Sequence, residues 1–169
     1  MTIRTRRALA IGGAAIALSL SLSGCSFITG MIGGNDAPRD DEGVVQEQDN
    51  IDIFSLKLGD CKIADATTGE IMEAEVVPCD EPHDEEVFYE YTMADGEYSD
   101  ADVEAAGNDV CYTQAFTDFV GLPYEESTLD VWYLSPTQQT WDQANDRLIQ
   151  CIITDPAGQT TGTLAGSAR

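Results

Sequence analysis

The sequence predicts an α+β domain: a small antiparallel or mixed sheet with one long and one short helix, stapled by two disulfides. Three observations predict it. Short runs of β-branched and aromatic residues, bounded by Gly, Pro and Asp, recur between residues 51 and 169. One long stretch, from Ser99 to Val120, carries apolar residues at intervals of three and four. Four cysteines, Cys61, Cys79, Cys111 and Cys151, remain once Cys25 is assigned to an export signal. An even count in an exported chain implies two bridges.

The domain opens with Phe54, Leu56 and Leu58, and a turn at Gly59-Asp60 leads into Cys61. Ala64 to Gly69 reads as a turn. Ile71 to Val77 reads as a strand with Ile71, Glu73, Glu75 and Val77 on one side, ended by Pro78. Glu86 to Met93 is a second strand, rich in aromatic and β-branched residues. In the long helix, Ser99 is a natural N-cap, and Asp100, Asp102 and Glu104 place negative charge where the helix dipole favours it. Gly121 suits the C′ position and Pro123 prevents continuation. Leu129 to Leu134 is a buried strand. Ser135-Pro136-Thr137 starts a short helix running to about Ala144, and Arg147 to Thr154 is another strand. A last strand is expected over Thr160 to Leu164. Strands interrupted by one long and one short helix give the α+β class.

Four cysteines permit three pairings. Cys61–Cys79 and Cys111–Cys151 are preferred because each joins neighbours along the chain. Loops of those lengths give roughly 3 and 4 kcal/mol in the chain-entropy model. A zinc site competes poorly, given wide spacings, no Cys-x-x-Cys and a single His.

The N-terminus reads as an address. Arg4, Arg6 and Arg7 precede an apolar run from Ala8 to Leu22, too short for the roughly 20 residues that span a bilayer. Leu22-Ser23-Gly24-Cys25 looks like the bacterial lipobox. Residues 1–24 are therefore expected to be a signal peptide and Cys25 the lipidated first residue of the mature chain, anchored on the outer face of the cell membrane. The Arg6-Arg7 pair raises twin-arginine export, but its surroundings favour the general secretory route. Residues 25–50, with Gly30, Gly33, Gly34, Pro38 and Asp40-Asp41-Glu42, read as the lipidated Cys and a flexible acidic tether. Such a tether would reach on the order of 25–30 Å, beyond the roughly 8 Å Debye length. Residues 51–169 form the folded extracytoplasmic unit.

All 31 acidic residues follow Cys25. Loss of Arg4, Arg6 and Arg7 leaves five basic residues and a formal charge near −26. That excludes nucleic acid as a partner, since phosphate recognition needs Lys and Arg, and it excludes lying flat on anionic lipid. Basic proteins, cations or neutral glycans remain, with plain solubility as the preferred reading of the charge.

The densest polar cluster is Cys79-Asp80-Glu81-Pro82-His83-Asp84-Glu85-Glu86. As a cation site it would use His83 with carboxylates such as Asp80 and Asp84. A rigid turn is preferred, in which Pro82 fixes its φ, Asp80 caps local amides and the imidazole bonds backbone or a carboxylate. Neighbouring acids also make His83 a candidate pH sensor. No metal or cofactor is expected. With one His, no Gly-x-Ser-x-Gly elbow and no free thiol once the cysteines pair, catalysis is not expected. Glycan hydrolysis by paired carboxylates is kept as the enzymatic alternative. Trp132, Tyr133 and Trp141 could stack glycan. Trp132 reads as core, and Trp141, among Gln138, Gln139, Asp142 and Gln143, is the better surface candidate. Arg147, following Asp146, reads as a structural ion pair or carbonyl clamp.

Gly59-Asp60-Cys61 followed by Val77-Pro78-Cys79-Asp80-Glu81-Pro82-His83-Asp84-Glu85-Glu86-Val87 resembles the hallmark of the septum-formation-related domain of actinobacterial lipoproteins and membrane proteins. Leu134-Ser135-Pro136-Thr137, Trp141, Asp146-Arg147, Cys151 and Gly162-Thr163-Leu164 are similar to its second half. The resemblance covers about residues 57–165. Lys62 departs from it, where an apolar or aromatic residue is expected, and so does Asn145, where Gly usually precedes Asp-Arg. The resemblance implies a non-enzymatic extracytoplasmic binding or accessory domain, linked to division or envelope assembly, with no established catalytic residues. Its expected partners are the membrane through the lipid, and an envelope or division protein or cell-wall glycan.

Overall fold

The structure is a computed structural model and describes residues 35–64 and 72–169. Six strands form one antiparallel sheet: β1 (Gln48–Asp52), β2 (Cys61–Ile63), β3 (Glu73–Val77), β4 (Glu85–Thr92), β5 (Asp130–Leu134) and β6 (Leu148–Thr154). Their order across the sheet is β1-β3-β2-β4-β6-β5, and every pairing is antiparallel. The expected choice between antiparallel and mixed thus resolves to antiparallel.

Period-two alternation sorts the side chains into two cores. On one face Ile149, Cys151 and Ile153 of β6 and Val131 of β5 pack with Phe88 beneath the helices. On the other, Ile152, Val87, Val76, Ala74 and Ile51 pack together. Both faces of β6 pack on a core, so its residues 149–153 are all buried. A bulge between Val87 and Tyr89 shifts the β4 register at Phe88, which faces the helices.

The long helical run is present but bent. α1 (Asp100–Cys111) and α2 (Gln114–Val120) are separated at Tyr112-Thr113, where Thr113 leaves helical geometry at φ −118° and ψ −118°. Ser99 caps α1 by accepting from the Asp102 amide, and Gly121 ends α2 at φ 98°, the left-handed C′ position read from sequence. α3 (Gln138–Gln143) carries a capping box between Thr137 and Thr140. The two disulfides join Cys61 to Cys79 and Cys111 to Cys151. The second pins α1 to β6, between β4 and β5.

Two expectations need correction. Thr160 to Leu164 makes no strand. It forms one bridge, Thr160 with His83, and then turns, while Leu164 enters the helix-side core. On β3 the side that carries Glu73 and Glu75 is exposed, and Ala74, Val76 and Val77 are buried. Most consequential is the stretch read as tether. The folded unit starts well before Ile51: Ala37 and Val45 are buried, Arg39 bridges to Val45, and β1 begins at Gln48. Few apolar residues were needed, because the strap is held mainly by polar contacts. Arg39 grips Asp60, and the Ala37 amide donates to Ser55 Oγ at 2.9 Å. The signal peptide, Cys25, the tether up to Gly34 and most of the Ala64–Gly69 turn lie outside the described residues.

Candidate functional site

A groove opens on the sheet face opposite α1 and α2. Its floor comes from alternation at the β5 edge. Val131 faces the helices, while Trp132 and Leu134 face the other way beside Leu148 and Gln150 of β6. One wall is the tight turn Ile53–Ser55, where Asp52 caps the Phe54 amide at 2.9 Å. That turn buries Ile53 and leaves Phe54 55% exposed. Met72, whose carbonyl accepts from the Ile53 amide, stands beside it and is 54% exposed. The opposite wall is the start of α3. The enclosed space is about 540 Å³, within the size range of small-ligand or side-chain pockets.

Gln150, Asp146 and Thr140, three of the polar residues lining the groove, are bonded within the fold. Gln150 donates from Nε2 to the Leu56 carbonyl and to Glu90 Oε1, each at 2.9 Å. Asp146 accepts from Thr140 Oγ1 and from the Leu148 amide, each at 3.0 Å. Behind the floor, Trp132 donates from Nε1 to Glu85 Oε1 at 2.9 Å, and Lys62 Nζ lies 2.5 Å from Glu85 Oε2. Lys62 is fully buried, with its ammonium 5.8 Å from the Trp132 ring centre. Lys62 and Trp132 thus share one carboxylate, Glu85, which holds the groove's largest side chain in place.

The residues singled out from sequence sit elsewhere. His83 is buried as part of a turn. Its Nδ1 donates to the Glu81 carbonyl at 2.8 Å, and its Nε2 lies 3.3 Å from Thr160 Oγ1. Asp84 accepts from the Ala64 amide and Gln159 Nε2. Asp80 is exposed. Among the described residues, potential ligand atoms of His83, Glu86 and Cys61 come within 4.8 Å of one another, and neither Asp80 nor Asp84 joins them. Cys61 is spent in its disulfide, and Glu86 accepts from Thr163 Oγ1 at 2.6 Å and the Leu164 amide at 2.8 Å. This is a set of structural contacts that ties the C-terminal segment to β4.

The two tryptophans exchange their expected places. Trp141 is only 5% exposed. It donates from Nε1 to the Gly96 carbonyl at 3.0 Å, and the Arg147 guanidinium stacks 3.6 Å from its ring centre. It is no stacking platform. Arg147 also donates to the Trp141 and Asp146 carbonyls, the carbonyl clamp read from sequence. Trp132, read as core, is half-buried and lines the groove. The signal for it was present: four consecutive apolar residues, Val131 to Leu134, on a strand need cover on both faces, and at a sheet edge one face lacks it.

No helix among the described residues is long and apolar enough to cross a membrane. No curated protein and no solved structure matches the chain. A family model described as septum formation matches residues 31–168. That span includes the strap, both disulfides and the groove, and its match agrees with the resemblance carried by the Pro-Cys-x-x-Pro-His segment. The chain belongs to the septum formation family.

Proposed function

We propose that this chain is a lipoprotein, held at the outer face of the cell membrane through Cys25, whose domain serves septum formation by binding an envelope or division protein rather than by catalysis. One observation carries the reading. The groove bounded by Phe54, Met72, Trp132 and Leu134 offers apolar surface to solvent, while its one acid, Asp146, and Gln150 are bonded within its walls. Exposed apolar surface in a concave site is what a binding module needs. A hydrolase would instead need an unspent acid or base facing the groove. The sequence supplies the location, through its lipobox, and the disulfides suit an oxidising exterior.

The test is photo-crosslinking in cells, with the photoreactive residue at Phe54 or Met72 and, as control, at exposed Glu104. A protein adduct formed from the two groove positions and not from the control is expected. Adducts to lipid or wall glycan only, or equal yields from Glu104, would sink the reading. Cys25→Ser should move the chain from the membrane fraction to the medium.

A further inference from the structure

Resting on that reading, we infer that the groove takes an extended, cationic segment of the partner: apolar side chains at alternate positions, flanked by Lys or Arg.

Charge argues for the flanks. The mature chain carries about 26 more acidic than basic groups, and its few cations are largely engaged. Arg39 is bonded to Asp60, Lys62 to Glu85, Arg169 to Asp155, and Arg147 to two carbonyls and the Trp141 ring. Among the described residues lining the groove none is basic, and Asp146 is acidic. Glu90 reaches the groove through its bond from Gln150. Asp52 and Glu73, next in the chain to Ile53 and Met72, are exposed carboxylate residues opposite each other in the β1–β3 ladder, on the face turned away from Ile51 and Ala74, and add to the negative field around the groove rather than to its lining. The field of the whole domain draws a basic partner and repels an acidic one.

Backbone geometry argues for an extended segment. β5 is an edge strand. Val131 turns its peptide groups away from β6, for its amide donates to Asp130 Oδ1 at 2.9 Å and its carbonyl accepts from Tyr112 OH at 2.6 Å. Two residues on, Tyr133 turns its N–H and C=O the same way by strand alternation, beside the groove it helps to line. An extended chain pairing there sends alternate side chains toward Trp132 and Leu134, the strand-addition mode of peptide recognition.

The probe is a random phage-displayed peptide library, panned against the full mature chain. Enriched sequences should alternate apolar residues and carry Lys or Arg at a flank. Made as free peptides, they should lose at least tenfold in affinity when the flanking cations become Glu. They should lose as much on Phe54→Asp or Met72→Glu, variants of half-exposed residues that leave the unfolding midpoint unchanged. A neutral or acidic consensus, or no effect of the charge exchange, overturns the cationic flanks. Binding that ignores both rim variants overturns the site. If panning yields nothing while groove crosslinks still capture a protein, this inference fails and the binding-module reading stands. If the crosslinks capture no protein either, both fail.

Discussion

Arg39 meets Asp60 fork to fork, with Nη1 2.7 Å from Oδ1 and Nη2 2.6 Å from Oδ2. Asp60 is 3% exposed and also accepts from the Lys57 amide. The pair joins the N-terminal strap to the turn before β2, and Arg39 reaches the Gly43 and Ser55 carbonyls as well. Arg39→Ala would leave a buried carboxylate short of its cation and should cost about 2 kcal/mol in urea unfolding. Arg39→Lys should recover only part, because an ammonium cannot make the bidentate contact. A free tether would tolerate both changes within about 0.5 kcal/mol, as surface substitutions do, so the same measurement separates strap from tether.

Lys62 is wholly buried against Glu85. Lys62→Met alone strands that carboxylate and should destabilise by about 3 kcal/mol. Adding Glu85→Gln removes the charge yet leaves an amide oxygen for Trp132 Nε1, so the double variant should regain most of the loss. A double-mutant cycle in urea, read by tryptophan fluorescence, checks the coupling. Additive single effects would show that the pair is not coupled.

What was legible from sequence follows from how local each signal is. The cap at Ser99, the stop at Gly121 and the strand runs of β4, β5 and β6 depend on neighbours within a few residues, and the structure places them where they were read. The cysteine pairing was legible because nearest-neighbour bridges close short loops. The bend at Thr113 was not, since apolar spacing continues across it through Ala115, Phe116 and Phe119. The strap was missed because its ties, the Arg39–Asp60 pair 21 residues apart and the Ala37 amide to Ser55, are long-range, and Asp40-Asp41-Glu42 masks it in any compositional reading. The groove was missed because it gathers Ile53, Met72, Trp132 and Leu148, residues brought together only by the strand order. Trp141 was misplaced because its polar neighbours along α3 say nothing of the Arg147 plane that covers it.

Gly107 lies within α1, where Ala would ordinarily be worth about 1 kcal/mol more. Here a Cβ would stand 2.5 Å from Tyr133 ring carbons. Gly107→Ala should therefore destabilise, by about 1–2 kcal/mol net, through overpacking of α1 on β5. In a Tyr133→Ala background the obstruction is gone and the same exchange should stabilise. Thermal unfolding of the four proteins decides the sign. A gain in the parent background would mean that α1 can shift off the strand at little cost.

Tyr124 gives the chain a distinct alkaline limit. Its ring packs edge-on against Tyr112 and Phe116, with centroids 4.9 and 5.3 Å away, and its hydroxyl donates to Asp130 Oδ1 at 3.0 Å. Burial, and then the bond to a carboxylate that repels a phenolate, push its pKa from 10.0 up to about 12. A group whose pKa is raised on folding adds stability that is fully present below the unfolded value and is lost as pH rises through the folded one. The contribution of Tyr124 is thus complete at neutral pH and disappears between about pH 10 and 12. Tyr124→Phe should be less stable than the parent at neutral pH, because Asp130 loses a donor, and the gap between the two should narrow across that window. In absorbance titration of the folded protein, the variant should lack one tyrosinate from the high end of the curve. If the stability gap stayed constant from neutral pH to the alkaline limit, the hydroxyl would not be coupled to folding, and the packing of the ring alone would account for what Tyr124 does.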